Sequence, residues 1–120
     1  MAVSILKRTT PYKLVNLDSI SLPSGVSRWG SLYYIKLGRI VQLHLNLKIE
    51  STTKRSFTIS NVITTDADRP VFDTEGPAGD GTTNGFYQPF AVKSDGGVGF
   101  WNTVVGTTYL QGTVMYISKS

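Results

Sequence analysis

The stretch "GRIVQLHLNLKIE", Gly38 to Glu50, constrains the fold more than any other. From Val41 every second residue is apolar: Val41, Leu43, Leu45, Leu47, Ile49. Gln42, His44, Asn46, Lys48 and Glu50 fill the alternate places. Side chains of a strand alternate between faces, so this period predicts a strand with one buried and one wet face. The wet face carries the only histidine of the chain.

The surrounding segments extend the β reading. "YKLVNLDSISLP" (12–23) is predicted as a strand closed by a Pro-Ser-Gly turn, and the aromatic-rich 27–38 as a second. Leu37-Gly38-Arg39 suits a tight hairpin into the alternating strand at 39–50. A polar turn at 51–56 leads into "FTISNVI" (57–63). Residues 64–85 hold four glycines, two prolines and five of the eight acidic residues, which predicts a long loop with a short strand at Pro70–Asp73. A hairpin is expected over 86–102, turning at Ser94–Gly97, and a closing strand over 107–118. In that strand Leu110, Val114 and Tyr116 share one face, and Tyr109, Met115 and Ile117 the other, so it reads as covered on both sides.

Seven or eight short strands without helical periodicity predict an all-β, antiparallel β-sandwich or jelly roll. At 120 residues the chain suits one domain, expected over 13–120 after an extension or linker at 1–12. Cysteine is absent, which removes disulfides and thiolate chemistry, and no apolar run approaches the length of a membrane span, so no membrane insertion is expected. The net charge of +4 divides unevenly, +7 over residues 1–60 and −3 over 61–120. Such a split fits subunits meeting through opposite potentials as well as it fits binding of a polyanion.

The chemistry-bearing residues do not form an enzyme motif. His44 as a general base would need a nucleophile elbow, and no Gly-x-Ser-x-Gly exists. A solvated or subunit-facing histidine is the alternative. Asp66, Asp68, Asp73, Glu75 and Asp80 could offer oxygen ligands to a hard cation or stand as solvated loop charges, and the EF-hand spacing is not matched. No cofactor or metal is expected. Nucleic-acid binding would draw on Lys36, Arg39, Lys48, Lys54 and Arg55 with Trp29, Tyr33 and Tyr34 as stacking platforms, but no RNP-like motif is present, and no nucleic-acid partner is expected.

Taken in order, "LGRIVQLHLNLKI", "FTIS", "DADRPVF", "AVKSDGGVGFW" and "LQGTVMYI" resemble the C-terminal head domains of bacteriophage tail fibres and receptor-binding proteins. The matching elements fall at Gly38–Val41, Arg69–Pro70, Ser94–Gly97 and Thr107–Tyr116, within residues 28–118. The family often has Leu-Pro ahead of the Arg-Pro loop, where this chain reads "NVITTDAD". The resemblance implies a non-enzymatic adhesin head at the phage tail tip of the virion, homotrimeric, attached to other tail proteins and binding a host cell-wall or surface saccharide. Ligand-binding candidates under that reading are Asp66, Asp68, Arg69, Asn84, Tyr87 and Trp101, an aromatic and polar set suited to sugar hydroxyls. Trp101 could equally be core, Arg69 could tie down its loop, and Asn84 could form a turn. Gln42, His44 and Asn46 are expected to face a neighbouring subunit in part. The alternatives are a structural tail or baseplate module with no ligand, and a small glycan hydrolase or lyase using the acidic loop.

Overall fold

The structure, a computed structural model, describes residues 12–50, 56–80, 87–101 and 108–120. It is all-β and antiparallel. Among the described residues nine strands follow in chain order: β1 (Tyr12–Asn16), β2 (Val26–Arg28), β3 (Tyr33–Leu37), β4 (Ile40–Ile49), β5 (Ser56–Ile59), β6 (Thr74–Asp80), β7 (Tyr87–Val92), β8 (Val98–Trp101) and β9 (Thr108–Ile117). Hydrogen bonding runs along one path, β1-β3-β4-β9-β6-β7-β8-β5, with β2 also paired to β4. The sheet curls into a half-barrel whose two limbs share one apolar core.

β4 is the spine of that core. Val41, Leu43, Leu45, Leu47 and Ile49 are all buried, and the polar residues between them are half-buried on the opposite face. Their inward neighbours come from every limb: Tyr34 and Leu32 before β4, Leu110, Val114 and Tyr116 on β9, and Phe57, Phe90 and Val98 from the far limb. A two-residue turn, Gly38-Arg39, joins β3 to β4, and Gly38 adopts φ +60°, open to glycine at no steric penalty.

Three expected boundaries shift. The first strand ends at Asn16 rather than reaching residue 23, because the Asp18 amide turns back onto the Asn16 side-chain oxygen at 2.7 Å. The predicted strand at 27–38 is split into β2 and β3, which pair with successive parts of β4. Asn46 sits at the break: its amide donates to the Ser31 carbonyl at 2.9 Å, and its carbonyl accepts from the Trp29 amide at 3.1 Å. The predicted loop at 64–85 contains β6, a seven-residue strand between β7 and β9. Pro70–Asp73 makes only an isolated bridge, Pro70 to Ser118. Thr-Glu-Gly-Pro-Ala-Gly-Asp has poor strand propensity, and its place is fixed by its neighbours. Gly76 lets the backbone lie against Val114, where a Cβ would come within 2.9 Å. Pro77 precedes the β6–β9 ladder, which begins at Ala78, so its missing N–H interrupts no ladder bond on that side.

Leu45→Ala should therefore lower stability by about 3 kcal/mol, as deletion of a fully packed side chain does. Gln42→Ala, on the opposite face, should change it by less than about 0.5 kcal/mol. Urea unfolding of the two variants checks the assignment, and similar losses in both would refute it.

Candidate functional site

Strand register lays the outer face of β1, β3, β4 and β9 out in cross-strand rows. The first row is Tyr12, Leu37, Ile40 and Ile117; the second is Leu14, Ile35, Gln42 and Met115; the third is Asn16, Tyr33, His44 and Thr113. Asn46 then pairs with Gln111, and Lys48 with Tyr109. The face is thus graded from apolar at the Ile40 end to polar and aromatic at the Lys48 end.

At the apolar end six large side chains are exposed on the sheet: Tyr12, Leu14, Leu37, Ile40, Met115 and Ile117. Val71, whose amide donates to the Ile117 carbonyl at 3.1 Å, and the 79% exposed Phe72 extend the patch. Single exposed apolar residues are ordinary, whereas an adjoining set of this size marks a surface built to be covered. The expectation that β9 is covered on both sides is corrected here. Within the chain its inner face is buried, but Met115 and Ile117 stand 58% and 53% exposed. A shallow hollow of about 350 Å³ lies beside the patch, lined by Leu14, Asn16, Ser31, Leu32, Tyr33 and Ile35.

The middle rows hold the residues expected at a subunit contact. The His44 ring stacks on Tyr33, centroids 4.5 Å apart and planes 17° off parallel, and its Nδ1 shares a hydrogen bond with Thr113 Oγ1 at 3.0 Å. Asn46 is occupied at the break between β2 and β3. Gln42 lies between Ile35 and Met115. All three are half-buried and look outward from the same face.

Of the six ligand-binding candidates, Asp66, Asp68 and Arg69 have described side chains, and each is bonded within the chain. Asp68 is 2% exposed, inside the end of the half-barrel. Its carboxylate accepts from Lys13 Nζ and Tyr34 Oη on one oxygen, each at 2.5 Å, and from Lys36 Nζ on the other at 2.8 Å. The Asp68 carbonyl accepts from Tyr116 Oη at 2.6 Å. Burial pushes its carboxyl upward, but the donors from Lys13, Lys36 and Tyr34 together outweigh that and hold it down at about 2. The same burial, with the Asp68 charge alongside, raises the Tyr34 and Tyr116 phenols above their usual 10. Asp68 is spent on structure and offers no open face to a ligand.

Arg69 ties its loop: Nε donates to the Ile63 carbonyl at 2.9 Å and Nη2 to Asn61 Oδ1 at 3.2 Å. Gly96, at φ +88°, packs on the same guanidinium, where a Cβ would meet Arg69 Nε at 2.6 Å and the Ile63 carbonyl at 2.3 Å. Asp66 is exposed and pairs with Lys119 at 3.2 Å and Arg69 at 3.5 Å. Tyr87 opens β7 and Trp101 closes β8, while Asn84 lies outside the described residues. The carboxylates expected near a cation or a scissile bond also diverge. Asp73 accepts from the Ser94 amide at 2.8 Å, and no three acidic or histidine side chains converge among the described residues. Of the basic residues weighed for a polyanion, Lys36 turns inward to Asp68 and Arg39 binds the Ser118 carbonyl at 2.7 Å, while Lys54 and Arg55 lie outside the described residues. Among the described residues no helix is long and apolar enough to cross a membrane.

Sequence reasoning missed the apolar end of the outer face because no single strand displays it. Only the register brings Leu14, Leu37, Ile40 and Met115 together. Trp29, weighed in the sequence as a stacking platform for nucleic acid, lies on the outer face: 41% exposed, it stands against Tyr109 at 4.8 Å and 53°.

No family model and no curated protein sequence matches the chain. Among solved structures, it is similar in fold to the attachment protein sigma1 of a reovirus, a crystal structure in complex with alpha-2,3-sialyllactose. The TM-score is 0.48 at 17% identity, and the likeness covers 92% of this chain and 66% of that one.

Asp68 sets the acid limit of the fold. Its folded pKa lies below the ordinary 3.8, so its stabilisation is complete above about pH 4 and is lost as pH falls through 2. The shift corresponds to about 2 kcal/mol. Asp68→Asn should lower stability by about 3 kcal/mol at pH 7, since it strips the charge from a buried partner of Lys36. It should also flatten the stability profile between pH 4 and 2. An unaltered acid limb in thermal melts of the variant would contradict this role.

Proposed function

We propose that the chain is the receptor-binding head of a bacteriophage tail, a non-catalytic adhesin that assembles as a homotrimer and recognises a saccharide of the host cell surface. The observation that carries the reading is the uncovered apolar end of the β1-β3-β4-β9 face. Its first two rows carry no charge, so the same surface of a second copy can meet it without like-charge conflict despite the chain's net +4. The ordered sequence resemblance to tail-fibre heads supplies the number three and the location at the tail tip. In this arrangement Gln42 and His44 sit at the margin of the subunit contact, beside the apolar rows.

The same apolar face also favours a second reading, a structural tail or baseplate module that assembles without a ligand. The hydrolase or lyase alternative loses its acidic loop as a reaction centre, because Asp68 is sealed inside and Asp66 and Asp73 are bound to other groups.

Sedimentation of the untagged protein over a range of concentrations should give a species near three times the 13.1 kDa chain. Ile40→Lys, which places a charge in the middle of the first row, should shift that species to monomer while leaving the fold intact by circular dichroism. A wild-type monomer at every concentration would sink the assembly. Labelled trimer should then decorate host bacteria and be displaced by a cell-wall saccharide; a stable trimer that binds no cells selects the structural module.

A further inference from the structure

The polar end of the outer face carries an aromatic arrangement that the subunit contact leaves unused. Trp29 follows β2 at the break where β2 gives way to β3, and its amide is fixed by the Asn46 carbonyl at 3.1 Å. From there the indole reaches Tyr109 on β9, ring centroids 4.8 Å apart and tilted 53°. Lys48, on the intervening strand, stands 5.9 Å from the Tyr109 centroid and pairs with Glu50 at 3.3 Å. Gln111, exposed and next to Tyr109 on the same face of β9, faces Asn46. The Asn46 amide is already bound to Ser31, so Gln111 is the neutral amide here with an open face.

The geometry points to a saccharide-binding platform at Trp29 and Tyr109, taking a neutral hexopyranose or N-acetylhexosamine unit of the host glycan; this rests on the adhesin reading above and deepens it. A pyranose presents a face of C–H groups and a rim of hydroxyls. An indole that is anchored by its backbone and braced on one side by a tyrosine can accept the C–H face without losing much side-chain freedom. Lys48 and Gln111 supply donors to the rim, and Glu50 and Gln111 supply acceptors. Lys48 and Glu50 neutralise one another locally, which suits an uncharged sugar better than an acidic one. The platform lies eight residues along β4 from Ile40, roughly 27 Å at the rise of a strand. A neighbouring copy seated on the apolar rows therefore leaves it open to a cell surface.

The test uses Trp29→Ala and Gln111→Ala in the full chain, each first checked for unchanged mass by sedimentation and unchanged far-ultraviolet dichroism. Binding is measured to host cells and, by calorimetry, to chitotriose, maltotriose and lactose, with oligogalacturonate as the acidic comparison. Trp29→Phe keeps a smaller ring and serves should the alanine variant fail to fold. Loss of one stacked aromatic should weaken binding about tenfold in Trp29→Ala. Trp29→Phe should retain most of the affinity, and binding should persist at high salt, as a neutral ligand requires. Cell and saccharide binding unchanged in both Trp29 variants would overturn the platform while leaving the adhesin function standing. Preference for oligogalacturonate with steep salt dependence would overturn the neutral-sugar assignment. Absence of binding by the unaltered protein to cells and saccharides alike would overturn the adhesin reading and the platform with it.

Discussion

The buried Asp68 carboxylate is the interaction on which the closed end of this half-barrel depends. The sheet can curl over an apolar core only if its ends are stopped without stranding polar groups. At one end the inward row contains Lys13 and Lys36, cations where an apolar residue would be expected, next to Tyr34 and Tyr116. The 3-10 turn Asp66–Asp68 delivers a single anion into that cluster. One carboxylate then satisfies two ammonium groups and a phenol, and the backbone carbonyl of the same residue takes the second phenol. The contact joins β1, β3 and β9 to the segment that follows β5, so sheet edge, sheet centre and loop are fixed together. Such a network is sensitive to loss of any member, because the others are left desolvated without a partner. Its pH window follows from the two kinds of group: with Asp68 held below its ordinary value and the tyrosines above theirs, the full stabilisation is present between about pH 4 and 10 and is lost beyond those limits on either side.

That arrangement explains what could be read from the sequence and what could not. The alternation of β4, the Gly38-Arg39 turn and the Ser94–Gly97 hairpin are local: each is specified by residues within a few places of one another, and each stands in the structure. The full length of β9 was equally visible. β6 was not, since glycine and proline weigh against a strand and only β7 and β9 on either side decide otherwise. Asp68 reads from the sequence as a cation ligand, a saccharide contact or a solvated loop charge, because the partners that bury it are 32, 34 and 55 residues away. Lys36 reads as a candidate nucleic-acid contact, because the carboxylate it pairs with is 32 residues away. Arg69 has two readings in the sequence, a ligand contact and a loop tie, and its bonds to Ile63 and Asn61 supply the second.

The candidate surface was the least legible feature, and register is the reason. Each strand alone shows a defensible pattern. β4 shows polar residues outward, β3 shows aromatics, and β9 shows two apolar sets. Only when Leu37 is placed opposite Ile40, and Ile40 opposite Ile117, does the outer face separate into an apolar end and a polar one. The polar residues of β4 that suggested a plain wet face are in fact the boundary between these ends.

A division of this kind imposes a direction on the molecule. The exposed apolar rows lie at the same end of the sheet as the Asp68 cluster, since Lys13 and Lys36 alternate with Tyr12, Leu14, Ile35 and Leu37 along β1 and β3. Rigidity inside therefore underlies the surface that a second copy would have to match, and a fixed surface loses less freedom on association than a mobile one. At the other end Leu47 and Ile49 are buried on the face opposite Trp29, Tyr109 and Lys48, with Val26 and Leu110 paired to them. The Arg28–Asp18 ion pair at 2.8 Å lies at that end, and the aromatic pair is held by the break between β2 and β3 and by Asn46. The proposed assembly surface and the proposed saccharide platform thus lie at opposite ends of one strand.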